Sequence, residues 1–243
     1  MHQELEALLS KASYVVAFTG AGISAESGVP TYRGTDGVWN KYDPAKYADV
    51  GYFFRDPSYY WHFFKDVRYP VLKEASPNAG HHALADLEKQ YLLKALITQN
   101  IDGLHQEAGS RNVLELHGNT RSISCQGCGR SYGLDEARAR LEEEHPPTCG
   151  DCGGLLKPDV VLFGESLPSD TLRRAEEESR SCDLFLSIGS SLLVQPAASM
   201  PAIAKQAGAR LVIVNMEETP LDGKADLVIR DSASSVLSGM QGN

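Results

Sequence analysis

Six short apolar runs decide which folds are open to this chain. They are YVVAF (14–18), LKALIT (93–98), NVLEL (112–116), DLFLSI (183–188), RLVIV (210–214) and ADLVI (225–229). Each has the length of a strand, and most are near-continuous, as a strand must be when both faces of its sheet are covered. Helical patterns lie between several of them. NAGHHALADLEKQ precedes the second run, and AASMPAIAKQAGA separates the fourth from the fifth and stops near Gly208. Strands alternating with helices predict an α/β fold with a Rossmann-like, doubly wound parallel sheet. At 243 residues, 42% of them apolar, the chain has the length and core content of one large domain carrying a smaller module.

Two stretches break the alternation. Residues 29–70 are crowded with aromatics and prolines, too apolar for a solvated linker, and are expected to fold over a cleft. Residues 119–157 contain the pattern C-x2-C-x20-C-x2-C, formed by Cys125, Cys128, Cys149 and Cys152, while Cys182 stands apart. Paired knuckles of this spacing bring four sulfurs to one tetrahedral zinc ion, and four protein thiolates leave no open position, so the ion is expected to be structural. A zinc ribbon that bound nucleic acid would carry a basic stripe, but this module has five basic and six acidic side chains. With a formal charge of -9 for the whole chain, neither nucleic acid nor an anionic membrane is an expected partner.

The N-terminus, MHQELEALLSKAS, spaces Leu5, Leu8, Leu9 and Ala12 as one face of an amphipathic helix, without the features of a signal peptide. No uncharged apolar run is long enough to span a bilayer. Together with cysteines paired for a metal, this predicts a cytoplasmic protein.

Chemistry concentrates at strand ends. GAGISA (Gly20 to Ala25) follows the first strand and satisfies G-x-G-x-x-G/A, which lets backbone N–H groups approach a pyrophosphate. The second strand ending in an acid, which a nicotinamide oxidoreductase needs next, is missing. TQNIDGLH (Thr98 to His105) packs two amides and a carboxylate into one turn after the second strand. His117 ends the third strand, where an imidazole can take a proton near neutral pH. His81 and His82 begin a helix, and His105 is expected to pack rather than react.

Read in order, GAGISAESGVPTYRG, TQNIDGLH, LHG, the two cysteine pairs, VVLFGE, GSSLLVQPA and VNMEETP resemble the sirtuins, NAD-dependent protein lysine deacylases, over nearly the whole chain. The resemblance implies a Rossmann-type NAD-binding domain (1–28, 71–118 and 159–243), a flexible cofactor-binding loop and helical segment (29–70) and a zinc-binding module (119–158), with NAD and an acyl-lysine peptide meeting between them. It implies that Gly20, Ala21, Gly22 and Ser24 form the phosphate-side loop and that Arg33 belongs to the flexible loop. Gln99, Asn100, Ile101 and Asp102 would surround nicotinamide and its ribose, Gly189, Ser190, Ser191 and Asn215 the adenosine, with Leu227 near the adenine. Amides and a carboxylate are the complement of a carboxamide and ribose hydroxyls.

His117 matches the catalytic histidine, with Asn100 beside it. The implied reaction transfers the acyl group to ADP-ribose, His117 acting as general base on the ribose hydroxyls, and yields lysine, nicotinamide and 2'-O-acyl-ADP-ribose. The peptide would add as a strand between Gly164–Glu165 and Leu192–Leu193, with Val160 and Phe163 walling the acyl-lysine tunnel.

The wording is closest to a branch that removes succinyl and malonyl groups with a Tyr-x-x-Arg pair. Counting from Trp61 puts Phe64 and Val67 at those places, with Arg68 one position out of phase on a helix unless a gap restores it. An acetyl or longer apolar acyl group is therefore expected over an acidic one. The rival readings are a mono-ADP-ribosyltransferase of the same family, a non-catalytic zinc-and-nucleotide binding module and an ordinary dehydrogenase.

Overall fold

The structure, a computed structural model, describes residues 2–35, 37–133, 135–136, 139–140 and 146–238. These form strands β1 (Val15–Thr19), β2 (Leu93–Thr98), β3 (Val113–Glu115), β4 (Gly118–Cys125), β5 (Ser131–Gly133), β6 (Leu156–Val160), β7 (Leu184–Ile188), β8 (Arg210–Val214) and β9 (Leu227–Ile229). The helices are α1 (His2–Leu9), α2 (Pro44–Tyr47), α3 (Val50–Arg55), α4 (Ser58–Phe63), α5 (Tyr69–Glu74), α6 (Ala79–Lys89), α7 (Leu104–Glu107), α8 (Ser169–Ser181), α9 (Met200–Gln206) and α10 (Ala233–Ser238).

All six apolar runs become strands of one parallel sheet, ordered β3-β2-β1-β7-β8-β9. Alternation along β1 sends Val15 and Ala17 into one core and Val16 and Phe18 into the other. Leu5 of α1, Leu84 of α6 and Leu237 of α10 close the first core, while Ala175 of α8 and Ala204 of α9 close the second. Asn78 starts α6 firmly: its side chain accepts from Gly80 N and His81 N, and the His81 ring accepts in return from Asn78 N. The chain winds outward from β1 to β3, then returns to the other side of β1 as β7. The sheet therefore splits at the carboxyl ends of β1 and β7, where an open α/β sheet receives its ligand.

A second, antiparallel sheet, β5-β4-β6, carries the cysteines. Its core is shared with the aromatic segment: Phe53, Tyr60, Trp61 and Phe64 pack with Ile123, Cys125, Tyr132, Cys149 and Leu156. Trp61 Nε1 donates to Leu156 O at 3.2 Å across that junction. Helix α5 and strand β6 run across the expected boundaries at 70/71 and 158/159. No helix among the described residues is long and apolar enough to cross a membrane.

Candidate active site

A cleft of about 630 Å³ opens at the β1/β7 split. Gly20, Ala21 and Gly22 line it after β1, and Gly189, Ser190 and Ser191 line it after β7. The two loops touch: Gly20 N donates to Ile188 O at 3.1 Å and Gly22 N to Gly189 O at 2.9 Å. A Cβ on Gly22 would lie 2.7 Å from Gly189 Cα, so the glycines are needed first for loop-to-loop contact. Arg33 and Asn215 also line the cleft. Leu227 does not reach it and packs against the first core, while Asp231, Ser232 and Ala233 take that end of the cleft. Sequence reasoning missed those three because they follow a strand instead of forming a motif.

Gln99, Asn100 and Ile101 line the same cleft beyond β2. Gln99 Nε2 donates to Ser190 Oγ at 2.7 Å, tying the β2 loop to the β7 loop. Asn100 Nδ2 donates to Gly20 O at 3.1 Å and Ser24 Oγ at 3.2 Å, which commits its amino group to the protein. Ser24 and Asp102 act from behind. Ser24 is fully buried and does not line the cleft; its Oγ donates to Asp102 Oδ2 at 2.8 Å, and Asp102 Oδ1 accepts from Leu104 N at 3.0 Å. Asp102 borders a small adjoining cavity of about 40 Å³, and burial raises its pKa against the pull of those two hydrogen bonds. His81 Nε2 lies 3.4 Å from Ser24 Oγ while His81 Nδ1 accepts from Asn78 N at 3.3 Å, so His81 does more than begin a helix. His105 packs as expected, its ring centroid 4.8 Å from that of His81 and its Nε2 2.9 Å from Thr19 Oγ1. Burial keeps both neutral, moving His81 down to about 4 and His105 well below its ordinary range.

His117 faces the cleft from the end of β3. Its Nδ1 lies 2.9 Å from Gln99 O, an acceptor only, so Nδ1 carries the proton and Nε2 keeps its lone pair. Burial lowers its pKa, partly opposed by the Gln99 carbonyl. The following Gly118 has φ +68, and a Cβ there would lie 2.0 Å from Asp159 O, which explains the pairing of histidine with glycine.

Beside His117, Val160, Phe163, Gly164 and Glu165 also line the cleft. Phe163 is 42% exposed and Leu193 59%, while Leu192 turns into the second core at φ +55. Neither leucine lines the cleft, and the Leu192 N–H is already donated to Ser190 Oγ at 3.2 Å.

The structure corrects the helical count from Trp61. Phe64 to Arg68 form a π-helical turn, which accommodates one extra residue and shifts the phase of the residues beyond it. Phe64 is buried in the aromatic core and Val67 borders the small cavity, but Arg68 reaches the main cleft. Its guanidinium lies 5.1 Å from the Phe63 ring centroid and 5.5 Å from that of Tyr32. Arg68 NH1 donates to Tyr60 Oη at 3.4 Å, while its Nε is buried with no partner. Burial pushes the Tyr60 phenol up to about 12.

Away from the cleft, the four sulfurs of Cys125, Cys128, Cys149 and Cys152 lie within 4.8 Å of one another. The Cys125–Cys152 and Cys128–Cys149 separations are 3.4 and 3.7 Å. A zinc ion with Zn–S bonds of about 2.3 Å spaces its sulfurs about 3.8 Å apart, so the cluster fits that ion. Gly127 N and Cys128 N point at Cys125 Sγ, and Tyr132 Oη lies 2.9 Å from Cys149 Sγ, as thiolates require.

Comparison with known proteins agrees with this geometry. The sequence model described as the Sir2 family matches residues 20–196. An NAD-dependent protein deacetylase of Sulfurisphaera tokodaii is 50% identical over 95% of this chain and 90% of its own. NAD-dependent protein deacylase 2 of Archaeoglobus fulgidus is 48% identical over the same shares. A solved Sir2 enzyme superposes with a TM-score of 0.92 at 47% identity, covering 98% of this chain and 95% of that one. A Sir2 protein bound to a propionylated peptide superposes at 0.91 with 39% identity, covering 98% and 96%. With its glycine loops, strand-end histidine and four-cysteine cluster in one architecture, the chain belongs to the Sir2 family.

Proposed function

We propose that this protein removes acyl groups, acetyl first, from lysine side chains of other proteins, consuming NAD and one water and releasing nicotinamide and 2'-O-acyl-ADP-ribose. The observation that carries the reading is the convergence of His117, Gln99, Asn100 and the Gly20–Gly22 loop on one cleft. The cleft fits a dinucleotide: glycine backbone at the split for phosphates, amides for a carboxamide, hydroxyls of Ser190 and Ser191 for a ribose. Bound NAD supplies the ribose carbon that receives the acyl oxygen. Neutral His117 takes a proton from a ribose hydroxyl at Nε2, the atom its Gln99 bond leaves free. Asn100, with its amino group engaged, presents Oδ1 to the cleft. Ser24, His81 and Asp102 hold that loop in place.

The peptide adds as a strand between Gly164–Glu165 and Leu193, with the acylated side chain passing Val160 and Phe163. Four cysteines hold one structural zinc ion, and no step of the reaction passes through it. The Rossmann-type domain, the cofactor-binding segment and the metal module keep their roles, with boundaries moved to the ends of α5 and β6. Such thiolates belong in a reducing, cytoplasmic setting, and nothing in the charge of the module suits nucleic acid. Mass spectrometry of acetyl-lysine peptide incubated with NAD tests the reading: deacetylated peptide and acyl-ADP-ribose are expected in equal amounts. ADP-ribose attached to protein, or no release of nicotinamide, would replace it with a transferase or a binding module.

Arg68 favours a second reading of the acyl group. A half-buried guanidinium whose buried Nε is unpartnered at the cleft is suited to a carboxylate at the end of the acyl chain. On that reading succinyl-lysine peptide is turned over as well as acetyl-lysine peptide or better. Arg68→Met then costs succinyl turnover roughly 10–100-fold more than acetyl turnover, as loss of a charged hydrogen bond would. Equal losses on both peptides return the preference to acetyl.

A further inference from the structure

The ammonium of Lys157 neither lines the cleft nor belongs to the metal cluster. Lys157 lies on β6, is 7% exposed, and is the only lysine, arginine, aspartate or glutamate among the buried described residues. A charge is costly to bury, so its partners show what it is held for. Its three protons face three acceptors: Val160 O at 2.8 Å, Glu165 Oε2 at 3.0 Å and Pro158 O at 3.4 Å. The same Glu165 oxygen accepts from Leu162 N at 2.7 Å, and Glu165 N donates to Leu162 O at 3.0 Å. The turn from Val160 to Glu165 is thereby closed around one ammonium.

Other bonds aim this turn at the reacting groups. Val161 N donates to His117 O at 2.9 Å, joining the turn to the strand end that presents the imidazole. Phe163 N donates to Ala48 O at 2.8 Å, and Val50 N to Phe163 O at 2.9 Å, joining it to the aromatic segment. Those bonds fix Val161 and Phe163, and neither reaches Gly164 or Glu165. The Glu165 carboxylate, turned inward, is what ties that end of the turn to β6.

We infer that Lys157 and Glu165 are positioning residues for the acylated peptide: an ion-pair clasp that holds the Gly164 edge in register with His117. The inference rests on the peptide placement in the proposed function. The Glu165 side chain therefore serves the peptide through its grip on the turn, not by touching it. An edge that is not already held in its bound geometry must be ordered when the peptide binds, so loosening the clasp should be visible in peptide affinity.

The test measures equilibrium binding of acetyl-lysine peptide and of ADP-ribose, separately, to the full chain and to Lys157→Met, Glu165→Gln and the double variant. Each single variant is expected to bind peptide about 10–100-fold more weakly, the cost of ordering a few loosened groups, while ADP-ribose affinity changes less than about 3-fold. The double variant is expected to be no worse than the weaker single one, because the two side chains act as one unit. Parallel loss of both ligands would reduce the pair to general stability and overturn the inference. So would single losses that multiply in the double variant, or peptide binding equal to wild type. If Lys157→Met does not fold, the isosteric Glu165→Gln decides by the same split. Wild-type protein that binds no acetyl-lysine peptide overturns the peptide placement and the clasp with it; normal wild-type binding with unaltered variants overturns the clasp alone.

Discussion

Replacing His117 with alanine is expected to lower the rate of deacylation by about 10²–10⁴-fold, the range a positioned general base contributes. The imidazole bonds to Gln99 O through Nδ1, and His117 is the only histidine among the described residues that line the cleft. The fold should tolerate the change, since His117 is half-buried and its backbone carbonyl, which accepts from Val161 N, is retained. The pH profile gives a second check. Burial stabilises the neutral imidazole and lowers the pKa from 6.5, and the protonated form cannot act as a base. Wild-type kcat/KM is therefore expected to be flat through neutrality and to fall only below about pH 6.5. A variant within threefold of wild type, measured as acyl-ADP-ribose formed, would remove His117 from the mechanism.

Removing the metal is expected to have an effect as large, by a different route. Structural zinc contributes about 10–16 kcal/mol in small metal-folded peptides, comparable to the whole stability of many domains. Here Cys125 and Cys149 belong to the same buried cluster as Phe53, Trp61 and Phe64. Chelation under mild denaturant, or Cys149→Ala, should therefore abolish activity and near-ultraviolet circular dichroism from the aromatic segment. The parallel sheet, with two cores of its own, should keep much of the far-ultraviolet signal. Full activity and unchanged melting in a Cys149→Ala protein free of metal would contradict this role for the metal.

The sequence showed some parts of the molecule more plainly than others, for physical reasons. Strands covered on both faces leave uninterrupted apolar runs, so all six strands of the main sheet were readable to within about two residues. The smaller sheet was not. Strand β4, GNTRSISC, is mostly polar and is stabilised by pairing with β6 and by the cysteine cluster, so it carries no apolar run. Most motif residues from Gly20 to Asn215 line the cleft, but Leu192 and Leu193 do not. Ser24, Asp102 and Leu227 lie behind or beside it, because a motif records that a residue is needed, not whether it touches the ligand. Whether Arg68 is in phase turns on a π-helical turn, which an α-helical period does not reveal. The inward turn of Glu165 rests on a lysine eight positions earlier, a pairing that no local pattern announces.

The aromatic cluster also limits how such proteins can be recombined. Because Trp61 and Phe64 complete the interior around Tyr132 and Cys149, a metal ribbon lifted from a relative would arrive without the aromatic part of its lining. The exchangeable piece is the ribbon together with its distant aromatic helices, two chain segments that must be transplanted as a matched set.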